Sequence, residues 1–243
     1  MKKFFTELFT GPIDPEDAVE DLLKVAHNLV KEKKLREAEE KYRQILAIYK
    51  QTKNNYGISS TLKYLQAICL GKEPILEELI ENEINSGNFE QASKWSYELA
   101  LLTHNMVCLN NVLEWSKSNT LVRKALFEKG MLLYINNQHI EAISVFMDYA
   151  DRGSIQSLKD QEVVIPALIA LGCDDTVRAN QILEYIPSGR IEHSRLQRII
   201  ESYEEQDLDL FVETVQNFHN LSDFQVRLLL KIRRQIENVD SLT

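Results

Sequence analysis

The residues in this chain best arranged to do chemistry are three carboxylates, Glu201, Glu204 and Glu205, spaced i, i+3 and i+4. On a helix that spacing places all three on one face, where like charges cost about a few tenths of a kcal/mol each. Arg198, one turn earlier, is placed to relieve part of that repulsion. Two readings stand: a solvated helix face, or an acidic surface that docks a basic partner. Nothing else in the sequence assembles a reaction centre. His27, His104, His139, His193 and His219 are scattered without metal-ligand spacing. No phosphate-cradling glycine–lysine motif, dinucleotide fingerprint, H-E-x-x-H or paired C-x-x-C occurs. We therefore expect no cofactor, no metal and no small-molecule substrate, and read the chain as a non-enzyme. An enzyme built on scattered carboxylates is the rival that sequence alone leaves standing.

Other side chains are distinctive by position. Phe4, Phe5, Leu8 and Phe9 crowd the first residues beside Lys2 and Lys3. From the residues alone two readings stand: a hydrophobic arm folded onto its own core, or an apolar arm free to contact something else. Lys94, Arg123, Lys124 and Lys129 read by default as solvated cations, and Leu242 as a lone leucine in a polar tail.

The elements that must hold these residues are helices. The 243 residues are 44% apolar and 27% charged, enough for a sizeable core and too apolar for a disordered chain. Only 8 Gly and 5 Pro interrupt them, which suits long helices and not a strand-and-turn sandwich. The net charge of −9 argues against a polyanion such as DNA as main partner. Cys69, Cys108 and Cys173 are odd in number, far apart and set among apolar residues, as reduced core cysteines of a cytosolic protein would be. No apolar run reaches the ~18 residues of a membrane span, and the N-terminus does not read as a secretory signal.

Asp14-Pro15-Glu16-Asp17 is a helix start, with a capping acid, a proline suited to the first turn and acids at the positive dipole end. Val19, Leu22, Leu23, Ala26, Leu29 and Val30 then recur at helical spacing, as do Tyr42, Ile45, Leu46 and Tyr49, and Trp95, Leu99 and Leu102. Gly71-Lys-Glu-Pro74 and Pro187-Ser-Gly189 are helix boundaries. Lys34-Leu35-Arg-Glu-Ala38, Asn88-Phe89-Glu-Gln-Ala92 and Gln138-His139-Ile-Glu-Ala142 repeat a turn followed by an alanine where a second helix must approach the first. That punctuation predicts tetratricopeptide-like hairpins of variable length. Beyond Pro187 the pattern predicts three shorter helices. The expected fold is all-α: a TPR-like twisted sheet of antiparallel hairpins over 14–165, preceded by an arm at 1–13 and capped by a helical bundle and tail over 166–243.

Phe4-Phe5-x-x-Leu8-Phe9-x-Gly11 resembles the membrane-touching loop of the soluble NSF-attachment protein family. At the far end, Glu201-x-x-Glu204-Glu205-Gln206 and Leu228-Leu-Leu-Lys231-Ile232-Arg233-Arg234-Gln-Ile236 resemble two segments of that family's C-terminal domain, in the same order. The resemblance spans essentially the whole chain and is weak over 101–119. This chain also departs from the pattern. It starts almost at the F-F segment, where the family usually has a preceding helix. Asn88 stands where a basic residue is common, and Ser222-Asp223-Phe224 lacks the family's arginine and tryptophan.

The resemblance implies an adaptor for membrane trafficking that binds assembled SNARE complexes and recruits and stimulates a hexameric NSF-type AAA+ ATPase. It implies a cytoplasmic, peripherally membrane-associated protein that itself binds neither nucleotide nor nucleic acid. By residue it implies membrane contact through Phe4, Phe5, Leu8 and Phe9, and SNARE contact through Lys94 and Arg123, with Lys124 on the same face. It implies ATPase contact through Asp175, Glu201, Glu204, Glu205 and the penultimate Leu242. A TPR-like scaffold of another trafficking complex is the alternative.

Overall fold

The computed structural model describes residues 15–152, 162–219 and 221–240. The arm carrying Phe4, Phe5, Leu8 and Phe9, and the tail carrying Leu242, lie outside the described residues. Among the described residues are 13 α-helices, one short 3-10 turn and no strand. No helix among them is long and apolar enough to cross a membrane. The chain divides into two compact units, one ending at Lys117 and the other beginning at Ser118.

The first unit contains α1 (Pro15–Lys31), α2 (Leu35–Gln51), α3 (Asn55–Ile68), α4 (Glu73–Asn85), α5 (Phe89–Thr103) and α6 (Met106–Trp115). The second contains α7 (Asn119–Ile135), α8 (His139–Asp151), the 3-10 turn Glu162–Val164, α9 (Ile165–Leu171), α10 (Thr176–Glu184), α11 (Ile191–Glu204), α12 (Leu208–Gln216) and α13 (Asp223–Asp240). Within each unit successive helices pack as antiparallel pairs. Short connections leave little other choice.

Six connections share one backbone form. Lys33, Lys53, Gly87, Asn137, Asp174 and Gln206 all take left-handed φ angles, between 54° and 74°. The residue after each donates its N–H five positions back: Lys34 to Leu29, Asn54 to Tyr49, Asn88 to Glu83, Gln138 to Leu133, Asp175 to Ala170 and Asp207 to Ser202. The left-handed residue itself donates three positions back. Together these are the Schellman pair, which satisfies carbonyls a helix end would otherwise orphan. Only Gly87 escapes the steric cost of roughly 1–2 kcal/mol that left-handed backbone imposes on an L-residue. Four positions after each capping residue stands a buried side chain: Ala38, Ile58, Ala92, Ala142, Ala179 and Phe211. The alanines at 38, 92 and 142 are 0% exposed, as close helix approach requires.

The first unit's core combines Ile45, Leu62, Leu65, Leu76 and Leu79 with Tyr42, which stacks on Tyr64 at 5.2 Å. It also buries a carboxylate. Glu83 is 3% exposed and accepts from Ser59 Oγ at 2.9 Å and Asn88 Nδ2 at 3.0 Å, with Lys63 Nζ 3.6 Å away. Burying a charge is costly unless it is paired and hydrogen-bonded, and these three partners meet that need. Asn88, read from the sequence as a departure at a basic position, is thereby a core-supporting donor.

The second unit is built around α9, all seven of whose residues are buried, and around Phe146, which is 1% exposed. Phe127 meets the Phe146 ring edge-on at 5.7 Å, and Phe224 stacks on it at 5.9 Å. Phe224 therefore ties the start of α13 back onto α7 and α8, through Tyr134 as well, 5.3 Å away. The stretch after Pro187 does hold three helices, but α13 is 18 residues long and not short. Its length follows from the apolar stripe Phe224, Leu228, Ile232 and Ile236, which is buried over three full turns. The cysteines are free. Cys69 and Cys108 are buried, whereas Cys173, in the turn after α9, is half-buried.

Candidate functional site

The second unit carries the acidic residues singled out from the sequence, Asp175, Glu201, Glu204 and Glu205. The α9–α10 and α11–α12 turns lie at the same end of an antiparallel stack. Tyr203, at the end of α11, donates its hydroxyl to Asp174 Oδ1 in the α9–α10 turn. Burial, with the Asp174 hydrogen bond adding to it, pushes the Tyr203 phenol far above its ordinary value, so it stays a donor. Asn180 Nδ2 of α10 donates to Glu204 at 3.0 Å. These two contacts bring Asp174 and Asp175 beside the helix end carrying Glu201, Glu204 and Glu205, although nearly thirty residues separate them in sequence.

The partners of these carboxylates are mostly neutral. Glu201 accepts from Gln197 Nε2 at 2.8 Å and Glu204 from Asn180, while Glu205 is exposed. Among the described residues none of the three has an ion pair. Arg198, expected to relieve them, turns instead to Glu213 of α12, 3.2 Å away. Amide donors orient a carboxylate without cancelling its charge, so the edge keeps its negative field. Asp175 differs. It caps α10 by accepting from the Arg178 N–H at 2.9 Å, and Arg178 Nε lies 3.8 Å from its other oxygen. Asp207 caps α12 in the same way, accepting from Leu210 N–H at 2.8 Å, and adds an exposed acid to this end.

Sequence reasoning named Glu201, Glu204, Glu205 and Asp175 and missed Asp174, Asp207 and the donors Tyr203 and Asn180. Asp174 and Asp207 were open to discovery, because each flanks or occupies a cap next to a named acid. Tyr203 and Asn180 carry no sequence signal, since their role exists only once α10 and α11 are side by side.

The cations divide between the units. Lys94 is exposed on α5 of the first unit. Arg123 and Lys124 lie on α7 of the second, Lys124 exposed and Arg123 half-buried, its guanidinium 4.6 Å from the centroid of the Tyr149 ring. Such stacking contributes about 0.5–2 kcal/mol. Replacing Arg123 would therefore disturb packing as well as charge, and a clean test leaves it alone. If the contact implied by the resemblance holds, Lys94→Glu with Lys124→Glu weakens binding to a soluble SNARE bundle by about tenfold at low salt and flattens its salt dependence. Fluorescence anisotropy over a salt series measures both. Unchanged low-salt affinity would place the basic contact elsewhere.

Among the described residues no group of three or more His, Cys, Asp or Glu side chains is arranged to hold a metal ion. A cleft of about 480 Å³ in the first unit runs along α4 and is lined by Glu77, Glu78 and Glu81, with Lys50 bridging Glu78 at 2.5 Å. The chain matches no protein-family model, and no curated protein matches it.

Proposed function

We propose that this chain is a helical-repeat adaptor of the NSF-attachment type, which binds assembled SNARE complexes and presents an acidic edge to a basic AAA+ ATPase. The observation that carries the reading is the acidic edge itself. Asp174, Asp175, Glu201, Glu204 and Glu205 converge from two turns, and neutral donors hold three of them without compensating their charge. An acidic edge on a stack of helical hairpins suits recruitment of a basic domain, because complementary charge steers encounter and sets orientation. In this reading the hairpins form a TPR-like twisted sheet, a form of stack that offers extended surface for sideways docking on a long partner. Lys94, Arg123 and Lys124 contact the acidic outside of the SNARE bundle. Phe4, Phe5, Leu8 and Phe9 add membrane contact, and the motor, not this chain, hydrolyses ATP.

A pull-down with a recombinant four-helix SNARE bundle and the purified full chain tests the first half of the proposal. Retention of the chain by the assembled bundle and not by its separate helices supports it. Retention by neither would return the chain to the broader class of helical scaffolds.

A further inference from the structure

The last two helices of the second unit leave an apolar groove between them. Phe211, Val212 and Val215 of α12 face Val226, Leu229 and Leu230 of α13 across an open cleft of about 260 Å³. Val226 is 40% exposed and Leu230 45% exposed. Among the described residues this side of α12 and α13 is apolar and partly exposed.

Size and shape narrow the occupant. Pockets for small molecules run to about 300–1,000 Å³ and enclose most of the ligand, whereas this cleft is smaller and open along its length. It extends along α13 from Val226 to Arg233, a rise of about 10 Å. That is two helical turns, the reach of apolar anchors at i, i+3 or i+4, and i+7 on a docking helix.

Charge narrows it further. In a chain of net charge −9, the solvent side of α13 next to Leu230 carries Arg227 and Arg234, both exposed, and Arg233 lines the groove. Arg233 pairs with Glu237 at 2.8 Å, while among the described residues neither Arg227 nor Arg234 has an ion pair. Gln216, on the opposite wall, is uncharged. An apolar floor beside an arginine rim complements a helix whose apolar stripe is flanked by carboxylates, because guanidinium–carboxylate pairs are charge-assisted and oriented.

We infer that the α12–α13 groove docks an acidic amphipathic helix of a partner protein. Two or three of its apolar side chains enter the cleft, and its carboxylates meet Arg227 and Arg234. This site is separate from the acidic edge and does not depend on the function proposed above.

The test uses the full chain and two labelled synthetic helical peptides that share a leucine stripe, one flanked by glutamates and its twin by lysines. Fluorescence anisotropy is expected to show saturable, micromolar binding of the glutamate peptide, at least about tenfold tighter than the lysine twin. Val226→Glu with Leu230→Glu replaces exposed side chains, so the fold is expected to persist, as circular dichroism will report, while binding of both peptides is lost. Arg227→Glu with Arg234→Glu is expected to reverse the preference between the peptides. Equal binding of the two peptides, or glutamate-peptide binding unaffected by Val226→Glu with Leu230→Glu, overturns the inference. So does sedimentation equilibrium showing a dimer that this variant abolishes, which would give the groove to a second copy. Flotation with anionic vesicles that is lost in the same variant would give it to lipid instead.

Discussion

Phe146→Ala is expected to destabilise the second unit by about 3–5 kcal/mol, the range for deleting a large buried aromatic ring. The ring is 1% exposed, contacts Phe127 and Phe224, and lies against the backbone of Gly130. Its loss leaves a cavity beneath the contact that ties α13 to α7 and α8. Gly130 makes the prediction sharper. A Cβ added there would sit 2.7–2.9 Å from the Phe146 ring, closer than real contacts allow. Gly130→Ala alone therefore sets a helix-propensity gain of about 1 kcal/mol against overpacking of about 1–3 kcal/mol. In the Phe146→Ala background the clash is gone, and the same substitution is expected to stabilise by about 1 kcal/mol. Urea denaturation of the four proteins, followed by circular dichroism, closes the double-mutant cycle. A cost below about 1 kcal/mol for Phe146→Ala would show that this cluster is not the core of the unit.

Under the proposed function, Glu201→Lys with Glu204→Lys and Glu205→Lys is expected to abolish co-sedimentation of the ATPase with the SNARE complex. Each replacement inverts a charge on an edge where Arg198 is engaged elsewhere, so repulsion of a basic partner replaces attraction. Reversal at the exposed end of α11 leaves the buried Ser202 and Tyr203 in place, and the helical signal is expected to persist. The proposed interaction is expected to weaken with added salt, since charges further apart than about 8 Å are screened at physiological ionic strength. Leu242→Ala provides the contrast. One apolar side chain on a tail contributes little to recruitment once ordering entropy is counted. Under the proposed function its role is differential, favouring an activated state of the motor over a resting one. Co-sedimentation is therefore expected to stay near normal while stimulated ATP hydrolysis falls several-fold. Wild-type stimulation by the Leu242→Ala protein would remove that residue from the account.

Much of the architecture was legible because helices announce themselves locally. Pro15 and Pro74 sit in the first turns of their helices, and Ala38, Ala92 and Ala142 mark close approaches. Three of the six shared turns were visible through those alanines, and Asp175-x-x-x-Ala179 has the same form. The Asn54 and Asp207 turns were hidden, because the fourth position after the cap holds Ile58 or Phe211 in place of alanine. The left-handed residue gives no help, being lysine, asparagine, aspartate or glutamine at five of six turns. At the acidic edge, i, i+3, i+4 spacing exposed the three glutamates, but Arg198 was misassigned. Within one helix it faces Glu201, yet α12 brings Glu213 to it from outside. Buried Glu83 was equally invisible, since nothing local distinguishes it from its exposed neighbour Glu81.

ATP-dependent disassembly of a recombinant SNARE complex, with this chain as the only adaptor, tests the central claim most directly. The proposed function predicts disassembly that requires the chain, ATP and the motor together, and that stops when Glu201, Glu204 and Glu205 are reversed to lysine. An intact SNARE complex in the presence of all three components, with motor and complex both active beside an authentic adaptor, would contradict it.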